Sequence, residues 1–268
     1  MTAAEGVIPG PGAPLLALRG ICKRFGAVQA LDQVDLEIRA GEVVALVGEN
    51  AAGKSTLVNV ISGAGPADQG TISWEGRAVQ IRRPLDAQSM GIATVYQDLA
   101  MCGSLDVVGN LFLGREIRRG SILDEVEMER RTRELLGTLP IRIPDVRAPI
   151  ATLSGGQRRI VAISRSLMLG EPRLLILDEP TASLDIEQTA RLLDLIERLR
   201  DGGLGVLMIT HNMGDIKAVA DLVAVLRIGR NNGFFDVNTT SQEQITSAVT
   251  GASDNAVAHR ATREEAWQ

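Results

Sequence analysis

The chain has 268 residues with 28 Lys and Arg against 33 Asp and Glu, a formal charge of −5 that argues against gripping nucleic acid through a basic face. Hydrophobic residues at 45% and charged residues at 23% lie near globular averages and exclude global disorder. Aromatics are only 3%, so the core has to be built from Leu, Val, Ile and Ala.

In chain order, residues 1–14 are rich in Gly and Pro and place no positive charge ahead of an apolar run, so a flexible tail over 1–13 is expected rather than a signal peptide. Segments 15–22 and 34–38 alternate in polarity with no room for a crossover helix between them, which predicts an antiparallel β layer. Residues 43–47 form a continuous β-branched and apolar run, the pattern of a buried strand, and a helix with Leu57, Val58 and Ile61 facing inward is predicted over 54–61. From about 98 to 166 strand signals fade, and helices are predicted at 124–136 and 156–169. Runs at 174–177 and 205–209 read as two more buried strands, with an amphipathic helix over 186–200 between them, so a parallel sheet is implied. Cys22 and Cys102 form no C-x-x-C pair, no apolar run approaches the ~18 residues needed to span a bilayer, and a charged tail is expected over 252–268.

Between the first buried strand and its helix stands Gly48-Glu49-Asn50-Ala51-Ala52-Gly53-Lys54-Ser55, which fits G-x-x-x-x-G-K-[ST] in the context that motif requires. Such a loop turns backbone N–H groups toward a phosphate chain, and the helix that follows adds its positive dipole end. Lys54 would neutralise β- and γ-phosphate charge, and Ser55, with Thr56 beside it, would offer a hydroxyl to Mg²⁺. The run 174–177 ends at Asp178-Glu179, which places a metal-holding carboxylate next to one able to polarise a water. Leu153-Ser154-Gly155-Gly156-Gln157 opens another helix, a second N-terminus able to take phosphate oxygens. One nucleotide cannot comfortably use two such N-termini from the same face, so a second copy of the chain is implied; Ser154 would in any case cap its own helix.

Taken together, the P-loop, residues 153–157, the Asp178-Glu179 strand end and His211 resemble the ATP-binding cassette (ABC) ATPases over nearly the whole chain. The resemblance implies an α/β P-loop NTPase fold with a mixed central sheet, an antiparallel β layer and an inserted α-helical subdomain near 98–166, all within an ATPase domain over 14–251. It implies ATP and Mg²⁺ as cofactors. Carried over residue by residue, Gln97 resembles the glutamine that touches Mg²⁺ or water, Glu179 the general base, and His211 the residue that contacts γ-phosphate. Ser183-Leu184-Asp185 resembles the loop that crosses to the other subunit, and Phe25 the aromatic that stacks on adenine, with core packing as the competing account. Two departures stand out. Ala51 occupies a place where glycine is common, at a cost of roughly 1 kcal/mol if φ is positive there. Arg158-Arg159 follows the signature where Arg-Gln is frequent.

Tyr96-Gln97-Asp98-Leu99-Ala100 and Asn110-Leu111-Phe112-Leu113-Gly114-Arg115-Glu116 resemble the corresponding stretches of monosaccharide-import ATPases of the ribose, xylose and fructose type. That resemblance implies a homodimer enclosing two ATP molecules and driving a multi-span permease from the cytoplasmic face of the inner membrane. An extracytoplasmic sugar-binding protein would be an indirect partner. Leu111, Phe112 and Leu113 would serve the groove that receives the permease, or else pack in the core. Alternatives are a cassette for export or another cargo, and a soluble cassette protein in nucleic-acid work. The chain shows no coiled-coil arm, zinc cluster or basic tail for that last role, and the mixed charges over 115–134 read as a solvated helix face, so no nucleic-acid partner is expected. The cargo itself is not legible.

Overall fold

The computed structural model describes residues 13–139, 143–168, 172–182 and 184–251, so the two expected tails (apart from residue 13) and Ser183 lie outside the described residues. Strands β1 (Leu16–Phe25) and β2 (Val28–Ile38) pair antiparallel. β3 (Val43–Val47) runs into α1 (Lys54–Ser62), after which β4 (Gln69–Trp74) and β5 (Arg77–Val79) complete a four-stranded antiparallel sheet ordered β2-β1-β4-β5. α2 (Pro84–Ser89) leads to β6 (Ile92–Val95). Next come α3 (Val107–Phe112), a small hairpin of β7 (Arg118–Arg119) and β8 (Ile122–Leu123), α4 (Glu125–Gly137), a 3-10 turn and α5 (Gly155–Leu167). The chain then forms β9 (Leu174–Asp178), α6 (Ile186–Asp201), β10 (Gly205–Ile209), α7 (Met213–Val219), β11 (Leu222–Arg227), β12 (Arg230–Asp236) and α8 (Gln242–Thr250).

The second sheet has six strands in the order β12-β11-β3-β10-β9-β6, parallel throughout except for the antiparallel edge strand β12. Its central strands are apolar at every position because both faces are covered. Alternation divides them between two cores. Val44, Leu46, Ile176, Leu207 and Ile209 pack with α1 and the antiparallel sheet. Val43, Ala45, Val47, Leu175, Leu177, Val206 and Met208 pack with residues of α5, α6, α7 and α8. Each of the Val, Leu, Ile and Met side chains among these contributes about 1.5–3 kcal/mol through burial. A slip of one residue in any of these strands would exchange the two sets.

The segment between β6 and β9 carries a third core, in which Val107, Val108, Leu111 and Phe112 meet Met128, Leu136, Ile150 and Val161. This decides the open reading of Leu111, Phe112 and Leu113: the first two are buried in that core and only Leu113 is exposed. α4 presents a solvated charged face, with Glu127 accepting from Arg130 and Arg131. Arg147 ties the segment together by pairing with Glu129 at 2.7 Å and Asp106 at 3.2 Å. In α6 the inward face is Leu192, Leu195 and Ile196, whereas Ile186 is 92% exposed.

Candidate nucleotide site

Parallel pairing brings the chemistry-bearing loops to one edge. Leu46 is level with Ile209, Ile209 with Asp178, and Leu177 with Val95. The carboxyl ends of β3, β9, β10 and β6 therefore finish side by side, and the residues that leave them are Gly48, Glu179, Thr210-His211 and Tyr96-Gln97. This is the crevice outside the strand ends where open α/β sheets bind ligands.

The loop 48–53 is tightly constrained. At Gly48, with φ 155°, an added Cβ would stand 2.2 Å from the Leu226 carbonyl oxygen, and at Gly53, with φ 105°, 2.7 Å from that of Ala30. Both positions need glycine because neighbouring backbone fills the space. Ala51 has φ 65°, so the condition under which its Cβ is costly is met. Glu49, Asn50, Ala51 and Ser55 are exposed, Gly53, Lys54 and Thr56 are half-buried, and Ala52 is buried. Lys54 Nζ donates to the carbonyls of Gly48 at 2.6 Å and Glu49 at 2.9 Å, folding the side chain over its own loop. Burial holds the Lys54 ammonium below the usual lysine range, while Glu179 and Asp178 pull it back up.

Asp178 closes β9, and its carboxyl is pushed above the usual range, mainly by burial and then by repulsion from Glu179; Lys54 and Arg159 act the other way. Glu179 has φ 48°, a strained conformation for a side-chain-bearing residue, and its N–H donates to the Ile209 carbonyl at 2.9 Å. Its Oε1 lies 2.9 Å from Nδ1 of His211, whose ring is largely exposed. Gln97 is exposed immediately beyond β6. The residue before it, Tyr96, donates its hydroxyl to Ser62 Oγ at 2.9 Å, joining the start of the Gln97 loop to the far end of α1. This contact was not foreseen, because nothing local in either segment signals it.

Phe25 is 56% exposed, which removes core packing as its explanation, and Lys23 Nζ stands 5.6 Å from its ring centroid. Ser154 caps α5, its hydroxyl accepting from the Gln157 N–H at 3.2 Å, while the Ser154 N–H donates to the Gln157 side-chain oxygen at 3.0 Å. Gly155 is exposed, whereas Gly156 is buried under Gln188 of α6, whose Oε1 would meet an added Cβ at 2.5 Å. A side chain at Gly156 would therefore have to displace the end of the Gln188 side chain. Asp185 caps α6, accepting from the Gln188 N–H at 2.7 Å.

The donor set available to a metal is one hydroxyl, one amide oxygen and one carboxylate, from Ser55, Gln97 and Asp178. All are hard oxygen ligands too few to hold an ion alone, and among the described residues no group of three or more His, Cys, Asp or Glu is gathered for a metal. That fits Mg²⁺, which retains waters and is shared with substrate phosphates.

A glycine-bounded loop on a helix N-terminus, a lysine folded over it and two carboxylates at the end of a strand one place beyond the adjacent one in the same sheet define an α/β nucleotide-binding ATPase site. The ABC transporter family matches over residues 31–182. The xylose/arabinose import ATP-binding protein XylG of Sulfolobus acidocaldarius is 43% identical over 236 residues, covering 88% of this chain and 94% of that protein. The fructose import ATP-binding protein FrcA of Rhizobium meliloti is 39% identical over 249 residues, 90% and 95% of the two chains. The ribose import ATP-binding protein RbsA 1 of Rubrobacter xylanophilus is 43% identical over 236 residues, but these are only 47% of its length. Among solved structures, a nucleotide-free ATP-binding cassette from an ABC transporter superposes with TM-score 0.74 at 25% identity, over 92% of this chain and 98% of that one. The chain belongs to the ABC transporter family, and it is an ATP-binding cassette ATPase.

Proposed function

We propose that this chain is the ATP-hydrolysing subunit of a monosaccharide importer, working as a homodimer on a membrane permease. The observation that carries the reading is similarity along nearly the full length of both chains to import proteins for xylose/arabinose and fructose. Two copies pair so that each ATP lies between the 48–56 segment of one chain and residues 154–157 of the other, with Phe25 against adenine and Asp185 near the crossing. Support for pairing comes from a dimeric ATP-binding cassette bound to ADP and Pi, which superposes with TM-score 0.69 at 25% identity over 83% of this chain.

The loop N–H groups and Lys54 hold the β- and γ-phosphates, so Lys54 exchanges its two loop carbonyls for phosphate oxygens. Glu179 accepts a proton from the attacking water through the oxygen not engaged by His211, and His211 supports the γ-phosphate. Ser55, Gln97 and Asp178 would hold Mg²⁺, which when bound screens charge on the phosphates. Beside Gln97 lies a groove of about 230 Å³ lined in part by Tyr96, Leu99, Leu111, Leu113 and Arg165. This groove is where the permease docks, so that closure of the dimer around ATP moves the permease between its access states. Among the described residues no helix is long and apolar enough to cross a membrane, and a peripheral position on the cytoplasmic face of the inner membrane follows from the docking role.

The test is reconstitution with a membrane permease recovered with this chain by pull-down, in lipid nanodiscs, adding an extracytoplasmic binding protein with or without pentoses and hexoses. Stimulated ATPase with a loaded binding protein is expected. No stimulation by any sugar, or nucleic-acid association with no permease bound, overturns the importer reading.

A further inference from the structure

Arg159 lies in the second turn of α5, two residues beyond the signature, and is only 7% exposed. Its Nη1 is buried with no hydrogen-bond partner. A guanidinium nitrogen buried without an acceptor carries a desolvation penalty. The packing gives no reason for it, since its neighbours Ile160, Ala162 and Ile163 share an apolar core with Leu175 and Leu177 of β9. The charges acting on Arg159 are those of Asp178 and Glu179, both attractive. The same two carboxylates act on Lys54. Two cations from different elements therefore act on the pair. Lys54 has loop carbonyls to hold and phosphates to move toward, whereas Arg159 is buried on α5.

We propose that Arg159 is a fixed internal counter-cation of the Asp178–Glu179 pair and lowers the affinity of this site for the divalent ion that accompanies the nucleotide. The inference rests on reading Asp178 as a ligand of that ion. A dication approaching the carboxylates is drawn by them and repelled by a guanidinium that salt screens little because it is buried. Removing the guanidinium leaves Lys54 as the remaining cation that opposes the attraction. A looser hold suits a cycle in which the ion must leave with ADP.

The test uses the full chain with ADP at pH 8, titrated with Mn²⁺ and read by electron paramagnetic resonance of the free ion. Arg159→Gln removes the charge, Arg159→Met removes it while keeping length and apolar contact, and Arg159→Lys keeps it. The neutral variants are expected to bind Mn²⁺ about three- to tenfold more tightly than wild type, and Arg159→Lys within about twofold of it. In an Asp178→Asn background, itself weaker for Mn²⁺, most of the gain from Arg159→Gln should disappear. Unchanged Mn²⁺ affinity in whichever neutral variant folds, judged by metal-free ADP affinity, overturns the role of Arg159 alone. If Asp178→Asn leaves Mn²⁺ affinity unchanged, the assignment of Asp178 fails and the inference falls with it.

Discussion

Glu179 Oε1 and His211 Nδ1 stand 2.9 Å apart across the ends of the neighbouring parallel strands β9 and β10. The backbone repeats the link, since the Glu179 N–H donates to Ile209 two residues before His211. Two anchors on one strand end fix a carboxylate whose backbone is already strained at φ 48°, the preorganisation that the base role proposed for Glu179 requires.

Replacing either partner separates proton acceptance from binding. Glu179→Gln should lower kcat by roughly 10²- to 10⁴-fold while ATP is retained, giving a stable dimer on light-scattering chromatography. His211→Ala should lower kcat by about 10²-fold with KM for ATP little changed. Normal turnover in either variant would remove that residue from the mechanism.

Ser154→Arg tests whether the signature acts on the other copy. The P-loop of the variant chain is intact, so equilibrium binding of ATP to monomer should persist while dimerisation and hydrolysis fall by at least about tenfold. Full activity in pure variant would refute the sandwich.

Ala51→Gly addresses the loop. With φ at 65°, the alanine Cβ costs about 1 kcal/mol, partly offset by the stiffer unfolded chain. Urea denaturation should show stabilisation of up to about 1 kcal/mol with ATP affinity unaltered.

A pH effect is expected on α4. Hydrogen bonds from Arg130 and then Arg131 pull the Glu127 carboxyl down to about 2. A lowered carboxylate pKa favours the folded form above its unfolded value near 4.5, and the benefit is lost as pH falls toward about 2. Because both arginines are exposed and Glu127 is only half-buried, the effect is local. Native-state hydrogen exchange should show faster opening of α4 in Glu127→Gln at pH 7, with the difference from wild type closing at the acid end and shrinking in high salt.

Much of the site was readable from short stretches of chain. The runs that became β3, β9 and β10 are apolar at every position, and the loop, the carboxylate pair and the signature are each complete within eight residues. The phosphate-binding chemistry and the homodimer expectation follow from such local patterns, because backbone N–H groups, a helix start and a capping serine need only their neighbours in sequence. The edge strands were harder. β12 reads Arg-Asn-Asn-Gly at its start, and β6 has only four residues, so neither announces a strand. Of the three apolar residues 111–113, periodicity did not show which two are buried.

Contacts between distant segments had no signature at all. Tyr96 meets Ser62, Gln188 covers Gly156, and Arg159 comes under the influence of Asp178 only after helices dock on a sheet whose strand order departs from chain order. Sequence alone determined which groups can bind phosphate and take a proton, since that chemistry belongs to residue types at short spacing. Tertiary structure decided which of them share an edge, how each is oriented and which charges are stripped of water, since strand register and burial depend on the whole chain at once.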